Sequence, residues 1–200
     1  TSFVESGPRP LDWGPDFFAA QTWFDHEDDD VPRSRRCLAW MNSWGYAHRL
    51  PTGPWRGQMT IPRDVSLRID ERGGLDVEQQ PISLDSLRNR PLIPATAGTV
   101  VDGDVRLDEM VGNQWELDVI FDEIEADQLR IELCRGGGEL VTVGWSRLTN
   151  RLFVDRFSSG DRVSGAFRRC SSAPAHNFRR GRCEAPLRTV DGRLGLKLVV

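Results

Sequence analysis

Apolar and polar residues alternate in short runs along most of the chain. Between residues 115 and 121 every second residue is apolar, and Glu116 and Asp118 lie among them. Alternation with this period gives a β-strand one apolar face and one solvated face. The same pattern predicts strands at residues 22–24, 36–41, 57–61, 65–69, 115–121, 129–133, 140–143, 152–154 and 194–200.

Helical periodicity is almost absent, so the predicted fold class is all-β. Turn residues punctuate the second half of the chain, for example at 136–138 and 191–192. Short strands with regular turn signals are typical of a sandwich or a barrel, here over residues 92–200. The best short helix is predicted at residues 82–88, and Pro91 prevents a longer one. This helix links two regions that meet near residue 90.

A long aromatic loop is predicted at residues 42–56, between two strands of the first region. The first ninety residues hold five of the seven tryptophans and the only tyrosine, Tyr46. A loop that keeps large aromatic side chains often binds a ligand, because an exposed tryptophan is otherwise unfavourable. The loop can equally fold over a small apolar cluster of its own. Trp44 and Tyr46 are predicted to pack within the loop rather than to touch a ligand.

Composition describes a globular chain, with 38% hydrophobic and 28% charged residues and a net charge of −4. It excludes collagen-like and disordered classes. Residues 147–193 hold eleven arginines against four acids, and a basic segment of this kind is typical of nucleic-acid-binding proteins. The arginines alternate with apolar residues, as on the solvent face of a strand, and no recognition motif accompanies them. We predict no nucleic-acid partner. No apolar stretch approaches the ~20 residues that span a bilayer, so no membrane partner is predicted either.

Cysteine and histidine do not form a recognisable metal motif. None of the four cysteines belongs to a CxxC pair, and a disulfide between Cys170 and Cys183 is left open. The three histidines are far apart in sequence, and the aspartate run at 28–30 is predicted to be a solvated hairpin tip. We therefore predict neither a metal site nor a cofactor.

Three ordered segments of the first third resemble motifs of glycoside hydrolase family 32, which contains invertases, inulinases, levanases and other β-fructosidases. Residues 12–21 read D-W-G-P-D-F-F-A-A-Q, similar to the family's D-Y-G-x-D-F-Y-A-x-Q. Residues 38–46 read L-A-W-M-N-S-W-G-Y, similar to G-W-M-N-x-W-x-Y. Residues 51–67 read P-T-G-P-W-R-G-Q-M-T-I-P-R-D-V-S-L, similar to P-T-x-P-W-R-G-x-M-S-I-P-R-E-L-S-L. The resemblance is weaker beyond residue 90, where residues 152–156 and 171–174 carry it.

This resemblance implies a five-bladed β-propeller followed by a β-sandwich. Five blades of four strands need roughly 300 residues, many more than precede the predicted sandwich. We therefore expect the last part of the propeller in residues 1–90 and a β-sandwich, itself incomplete, in residues 91–200.

The catalytic motifs of the resembled family are not found in this sequence. Retaining glycosidases need two carboxyl groups about 5–5.5 Å apart, which the family places in W-M-N-D-P-N-G and E-C motifs, with an R-D-P aspartate assisting. Residues 40–42 imitate the first motif, but Ser43 stands at the nucleophile position, and a hydroxyl without a base does not replace a carboxylate. Asp64 follows an arginine as in the R-D-P motif, but its segment aligns with the end of the propeller. Glu184 follows Cys183, which reverses the order of the E-C motif, and lies in the predicted sandwich. No catalytic residue is predicted in these 200 residues.

The resemblance does imply part of a sugar-binding wall. Trp40 is similar to an aromatic residue that lines the family's fructosyl pocket, and Asp12 and Asp16 are predicted to accept hydrogen bonds from sugar hydroxyls. A core tryptophan is the alternative for Trp40. Turn capping beside Gly14 is the alternative for the two aspartates.

The function implied by the resemblance is that of a retaining β-fructosidase that hydrolyses sucrose or fructans such as inulin and levan. The expected partner is a fructose-containing oligo- or polysaccharide. Because polymeric fructans lie outside cells, the parent enzyme is expected to be secreted, although residues 1–5 show no signal peptide. These residues alone are expected to be inactive. A non-catalytic β-sandwich module, with a carbohydrate-binding or a structural role, is the alternative.

Overall fold

The structure, a computed structural model, describes residues 7–24, 35–50, 52–69, 73–91, 98, 101–104, 114–159 and 181–200. Their regular structure is eleven β-strands and two three-residue 3-10 helices, with no α-helix in these ranges. The predicted all-β class is confirmed. No helix within this part of the chain is long and apolar enough to cross a membrane.

The first sheet is antiparallel and has the strand order β1-β2-β4-β5, with the short β3 paired to the end of β2. Cys37 and Ala39 on β2 are fully buried and form the centre of its core. A bulge lies between Phe18 and Gln21 on β1, where Ala19 has a φ of +51°. The strands are β1 (Phe18–Trp23), β2 (Arg35–Met41), β3 (Gln58–Met59), β4 (Arg63–Ile69) and β5 (Leu75–Pro81).

The second sheet is also antiparallel, with the order β10-β9-β8-β7. Val143 and Trp145 are buried on one face, and Phe153, paired with Gly144, is buried on the other. The indole of Trp145 donates a 2.9 Å hydrogen bond to the carbonyl of Leu187. Gly144 lies against the Phe153 ring, and a Cβ there would be 2.4 Å from Cζ of that ring. The strands are β7 (Gln128–Gly136), β8 (Glu139–Ser146), β9 (Arg151–Ser158) and β10 (Arg182–Pro186).

The remaining two strands, β6 (Glu116–Phe121) and β11 (Leu194–Val199), pair with each other. At one end of this pair, the carboxylate of Glu116 accepts hydrogen bonds from Arg88 Nε at 2.6 Å and Arg88 Nη2 at 2.9 Å. The same carboxylate lies 2.6 Å from Nζ of Lys197. The Glu116 carboxylate therefore ties the segment after β5 to both strands.

The chain divides into two compact units. One contains residues 1–82 and 126–188, with both larger sheets, and the other contains residues 83–125 and 189–200, with the β6–β11 pair.

Sequence patterns located most strands but missed β5 and β10. Val77 is the only large aliphatic residue inside β5 after Leu75, and β10 contains a proline and two charged residues. Their pairing partners β4 and β9, rather than their own pattern, make them strands.

The helix predicted at 82–88 is reduced to a single 3-10 turn, Asp85–Leu87, because its N-cap residue, Leu84, has no side chain that can cap the turn and proline follows closely. The aspartate run at 28–30, the segment at 171–174, His26, His176 and Cys170 lie outside the described residues. Cys183 is a free thiol.

Candidate functional site

Trp40, the aromatic residue singled out in the sequence, lies near the end of β2. It is paired with Phe18 of β1 on one side and with Met59 of β3 on the other. Its ring meets the Phe18 ring edge-on at 6.1 Å between centroids and the Trp44 ring at 5.1 Å. Its indole N–H donates a 3.3 Å hydrogen bond to the carbonyl of Arg56. Trp40 is half-buried, which leaves part of its surface open to a ligand.

Gly57 fixes the position of that indole. Its φ is +85°, a conformation that favours glycine, and a Cβ at this position would be 2.4 Å from Nε1 of Trp40 and 2.6 Å from Nδ2 of Asn42. The segment Arg56–Gly57 therefore presses directly against the tryptophan edge. Asn42 is only 2% exposed, and its Oδ1 accepts a hydrogen bond from the backbone N–H of Ser43 at 2.8 Å. Within the described residues, its Nδ2 has no hydrogen-bond partner.

The aromatic loop folds over a small core of its own and also keeps exposed tryptophans. The carbonyl of Ser43 accepts hydrogen bonds from the N–H groups of Tyr46 and Ala47, and both of these residues are buried. The loop thus has its own small core. Trp44 and Trp55, by contrast, are 73% and 55% exposed. Tyr46 packs as predicted, but the prediction that Trp44 packs within the loop is not met.

Asp12 is held in a network of its own. Its Oδ1 accepts a 2.7 Å hydrogen bond from the N–H of Gly14, and its Oδ2 lies 2.7 Å from Nη2 of Arg63. Arg63 also donates to Gln79 at 3.0 Å, and its guanidinium lies 4.7 Å from the centroid of the Phe17 ring. These contacts match the turn-capping role that the sequence allowed for Asp12.

Asp16 is the carboxylate with the most perturbed acidity in this region. Burial raises its pKa from an ordinary value of 3.8 to about 6; the charge of Arg156 opposes this shift and that of Asp12 adds to it. Its Oδ1 is buried and has no hydrogen-bond partner within the described part of the chain. The thiol of Cys183 lies in the same environment, where burial and then the charge of Asp16 raise its pKa to about 11.

The structure brings Asp12 and Asp16 together but directs Trp40 to the other side of the sheet. Arg63, the partner of Asp12, pairs with Cys37 on β2. Alternate residues of a strand face opposite sides, so Trp40, three residues after Cys37, faces away from Arg63. The two neighbouring phenylalanines follow the same division, because Phe17 contacts Arg63 and Phe18 contacts Trp40.

The two carboxylates that imitate catalytic motifs are each engaged by arginine. Asp64 accepts a 2.8 Å hydrogen bond from Nε of Arg36. Glu184 accepts from Nε of Arg151 at 3.0 Å and from Nε of Arg182 at 2.8 Å. Within the described ranges, no group of three His, Cys, Asp or Glu side chains could hold a metal ion.

The parts of the Trp40 site that sequence reasoning missed are Asn42, the Arg56 carbonyl and Gly57. Gly57 carries a usable signal, since a glycine between an aromatic loop and a strand often marks a positive φ or a close backbone approach. The Arg56 carbonyl carries none, because every residue has a carbonyl.

Comparison with known proteins shows which family the chain resembles. Residues 1–81 match the glycosyl hydrolases family 32 N-terminal domain, which contains the whole first sheet and the Trp40 site. The resemblance of the chain to glycoside hydrolase family 32 is thereby confirmed.

Individual relatives are fructan hydrolases by name. The chain is 32% identical to a levanase of Bacillus sp. (strain L7), over 99% of this chain and 21% of the levanase. It is 31% identical to an extracellular exo-inulinase of Aspergillus awamori, over 76% of this chain and 28% of that protein. The crystal structure of exo-inulinase from Aspergillus awamori superposes with a TM-score of 0.75 and 27% identity, covering 94% of this chain and 34% of that one. The chain thus spans about a fifth to a third of the length of these relatives.

Proposed function

We propose that these residues form part of a retaining β-fructosidase that hydrolyses sucrose or fructans such as inulin and levan, and that Trp40 forms one wall of its fructosyl site. The observation that carries the proposal is the fixed, half-open indole of Trp40 within the segment that matches the family domain. The names of the levanase and exo-inulinase relatives support the substrate class.

The chemistry of the Trp40 site suits a sugar. A furanose ring offers C–H groups that pack on an indole face, and a rigid aromatic side chain binds them with little loss of conformational entropy. The contacts of Phe18, Trp44 and the Arg56 carbonyl hold the Trp40 ring in place before any ligand arrives.

Asp12 and Asp16 stay in the proposal as acceptors for sugar hydroxyls, on a surface separate from Trp40. The Oδ1 of Asp16 has no hydrogen-bond partner in the described residues, but this oxygen is buried. Asp12 already uses both oxygens for Gly14 and Arg63.

The architecture that we propose is the end of a β-propeller in residues 1–90 and a β-sandwich in residues 91–200. The antiparallel order β1-β2-β4-β5 supports this proposal, because propeller blades are four-stranded sheets. One face of the β4–β5 hairpin carries four exposed aliphatic side chains, as expected of a blade that packs on a neighbour. These are Leu67, Ile69, Leu75 and Val77.

We further propose that the catalytic carboxylates are not among these residues and that the 200-residue chain alone is inactive. Asp64 and Glu184 already form ion pairs with arginines. The parent enzyme would act outside the cell, as the name of the extracellular exo-inulinase relative suggests. The same ion pairs also suit the alternative, a non-catalytic carbohydrate-binding module.

A chimera tests the proposal. The chain would replace the matching stretch of the Bacillus sp. levanase, and hydrolysis of levan would be measured by release of reducing sugar. Trp40→Ala is expected to lower kcat/KM at least about tenfold. Trp23→Ala, which removes an exposed tryptophan from the far end of β1, is expected to leave kcat/KM unchanged.

Three results decide between the candidate functions. An unchanged kcat/KM in a folded Trp40→Ala chimera would remove Trp40 from the site. Hydrolysis of levan, inulin or sucrose by the 200-residue chain alone would refute its predicted inactivity. An inactive but folded chimera, together with levan binding by the chain, would favour the binding module.

A further inference from the structure

Three side chains form a row across the first sheet at the Trp40 site. Phe18 on β1 and Met59 on β3 are the direct pairing partners of Trp40 on β2. Residues that pair directly across antiparallel strands place their side chains on the same face, with Cβ atoms about 4.5–5.5 Å apart. Met59 therefore flanks the indole on the side opposite to Phe18.

The position of the indole edge supports this placement independently. A Cβ at Gly57 would lie 2.4 Å from Nε1 of Trp40, and the same indole nitrogen donates its hydrogen bond to the carbonyl of Arg56. Because Gly57 immediately precedes β3, the indole leans toward the strand that carries Met59. A chemical change at Met59 is thus made beside the ring.

Met59 is open to reagents in solution, since 54% of its surface is exposed. Its thioether sulfur can attack hydrogen peroxide: the O–O bond breaks, an S–O bond forms, and the second oxygen leaves as water. The sulfur loses two electrons and the peroxide gains them, so that one thioether and one peroxide give one sulfoxide and one water. The reaction converts a flexible apolar side chain into a polar one.

We propose that Met59 is an oxidative modification site, where hydrogen peroxide forms the sulfoxide and the sulfoxide weakens sugar binding at Trp40. The second half of the inference rests on the proposed function of Trp40. A polar S–O group holds water beside the indole, and a sugar that packs on the ring then has to displace this water. A methionine sulfoxide reductase restores the thioether.

Met41 provides the matched control. It follows Trp40 directly on β2, so its side chain points to the opposite face of the sheet. It is 41% exposed, which also leaves its sulfur accessible to peroxide. The third methionine, Met110, lies outside the described residues and is replaced by leucine in every protein tested.

The first experiment uses the 200-residue chain and needs no sugar. A Trp40→Phe variant assigns the indole N–H signal of Trp40 in a 15N-correlated NMR spectrum. The chain is then treated with hydrogen peroxide, and peptide mass spectrometry follows oxygen uptake at Met59 and Met41. The Trp40 signal is expected to shift as Met59 gains one oxygen and to return after treatment with the reductase. Met59→Leu should abolish the shift, and Met41→Leu should keep it.

The second experiment measures levan hydrolysis by the levanase chimera before and after peroxide treatment. Oxidation is expected to lower kcat/KM about two- to tenfold. The ratio of treated to untreated kcat/KM is compared between variants, because methionines of the levanase part respond equally in all of them. Met59→Leu should remove the loss and Met41→Leu should retain it. Met59→Gln, which places a polar side chain there without an oxidant, should reproduce the loss in untreated protein.

Several outcomes would overturn the proposal. Met59 that stays unoxidised while Met41 gains oxygen, or an equal loss in Met59→Leu, would refute the modification site. Oxidation of Met59 with unchanged kcat/KM, in a chimera that Trp40→Ala impairs, would refute its effect on binding and leave the role of Trp40 intact. If Trp40→Ala also leaves kcat/KM unchanged, the proposed function of Trp40 is what fails, and the weakening of sugar binding falls with it.

Discussion

At the scale of single residues, burial of Asp16 makes a carboxylate unfavourable in the folded chain. The pKa of about 6 exceeds the ordinary value of 3.8, so the folded state binds the proton more tightly than the unfolded state does. Linkage then requires that stability falls as the pH rises from about 4 to about 6. The full difference would be about 3 kcal/mol, and partial exposure reduces it to about 1–2 kcal/mol.

We predict that Asp16→Asn stabilises the chain by about 1–2 kcal/mol at pH 7 and has little effect below pH 4, because asparagine carries no charge to desolvate. Urea unfolding at both pH values measures this. Asp12→Asn is the control, since it weakens the contact with Arg63 and is expected to destabilise at pH 7. Equal stability of Asp16→Asn and wild type at pH 7 would contradict the burial argument.

Residue identity and residue environment were predictable to different degrees. A motif resemblance marked Trp40, Asp12 and Asp16 as a group, and a sequence motif carries no information about which face of a sheet each residue occupies. The face that each residue occupies follows from the register of β2 against β4 and from the bulge at Ala19. Contacts such as Arg63 with Asp12, 51 positions apart, are set by tertiary packing.

At the scale of secondary-structure elements, Gly144 on β8 lies in close contact with residues of β7 and β9, the two strands that pair with β8. A Cβ at this position would lie 2.4 Å from the Phe153 ring and 2.7 Å from the carbonyl of Leu129. The ring is buried and the carbonyl is backbone, so neither can move at low cost.

We predict that Gly144→Ala destabilises the chain by about 2–4 kcal/mol, through overpacking of the β8–β9 core. Gly195→Ala in β11 is the matched substitution, because a Cβ there meets no atom within 4 Å. It is expected to be neutral or slightly stabilising. Thermal unfolding followed by circular dichroism compares the two, and similar melting temperatures would argue against the close approach.

Alternation predicts a strand well when the strand's own side chains divide between core and solvent. That condition holds for β6, β7 and β11, which the pattern located. It fails for β5 and β10, whose position depends on hydrogen bonds to β4 and β9. An element defined by its neighbour cannot be found from its local sequence.

At the scale of the whole molecule, Glu116 joins three sequence-distant parts of the second compact unit: Arg88 in the segment after β5, β6 itself, and Lys197 in β11. Hydrogen bonds from Arg88 and then from Lys197 lower the pKa of Glu116 to about 2, from an ordinary 4.5. Because the pKa of Glu116 is lowered in the folded chain, its ionised carboxylate stabilises the fold above pH 4.5. This stabilisation is lost as the pH falls toward 2.

We predict that Glu116→Gln lowers stability by at most about 1 kcal/mol at pH 7, less in high salt, because the pairs are near the surface. The difference should shrink as the pH falls toward 2. Asp122→Asn, which breaks the exposed pair with Arg193, is the control and is expected to have almost no effect. Melting temperatures at pH 7 and pH 3, in low and high salt, measure both variants. A salt-independent loss would contradict an electrostatic origin.

Lys197 is the single lysine in the chain, against 25 arginines, and its amine is occupied by Glu116. Amine-reactive acylating reagents therefore have one side-chain target, and that target reacts only when its proton and its partner are released, since the pair raises its pKa. The rate at which mass spectrometry detects a single added acyl group on Lys197 then reports how readily this ion pair is broken. Lysine scarcity thus turns one ion pair into an internal reporter, which needs no engineered probe.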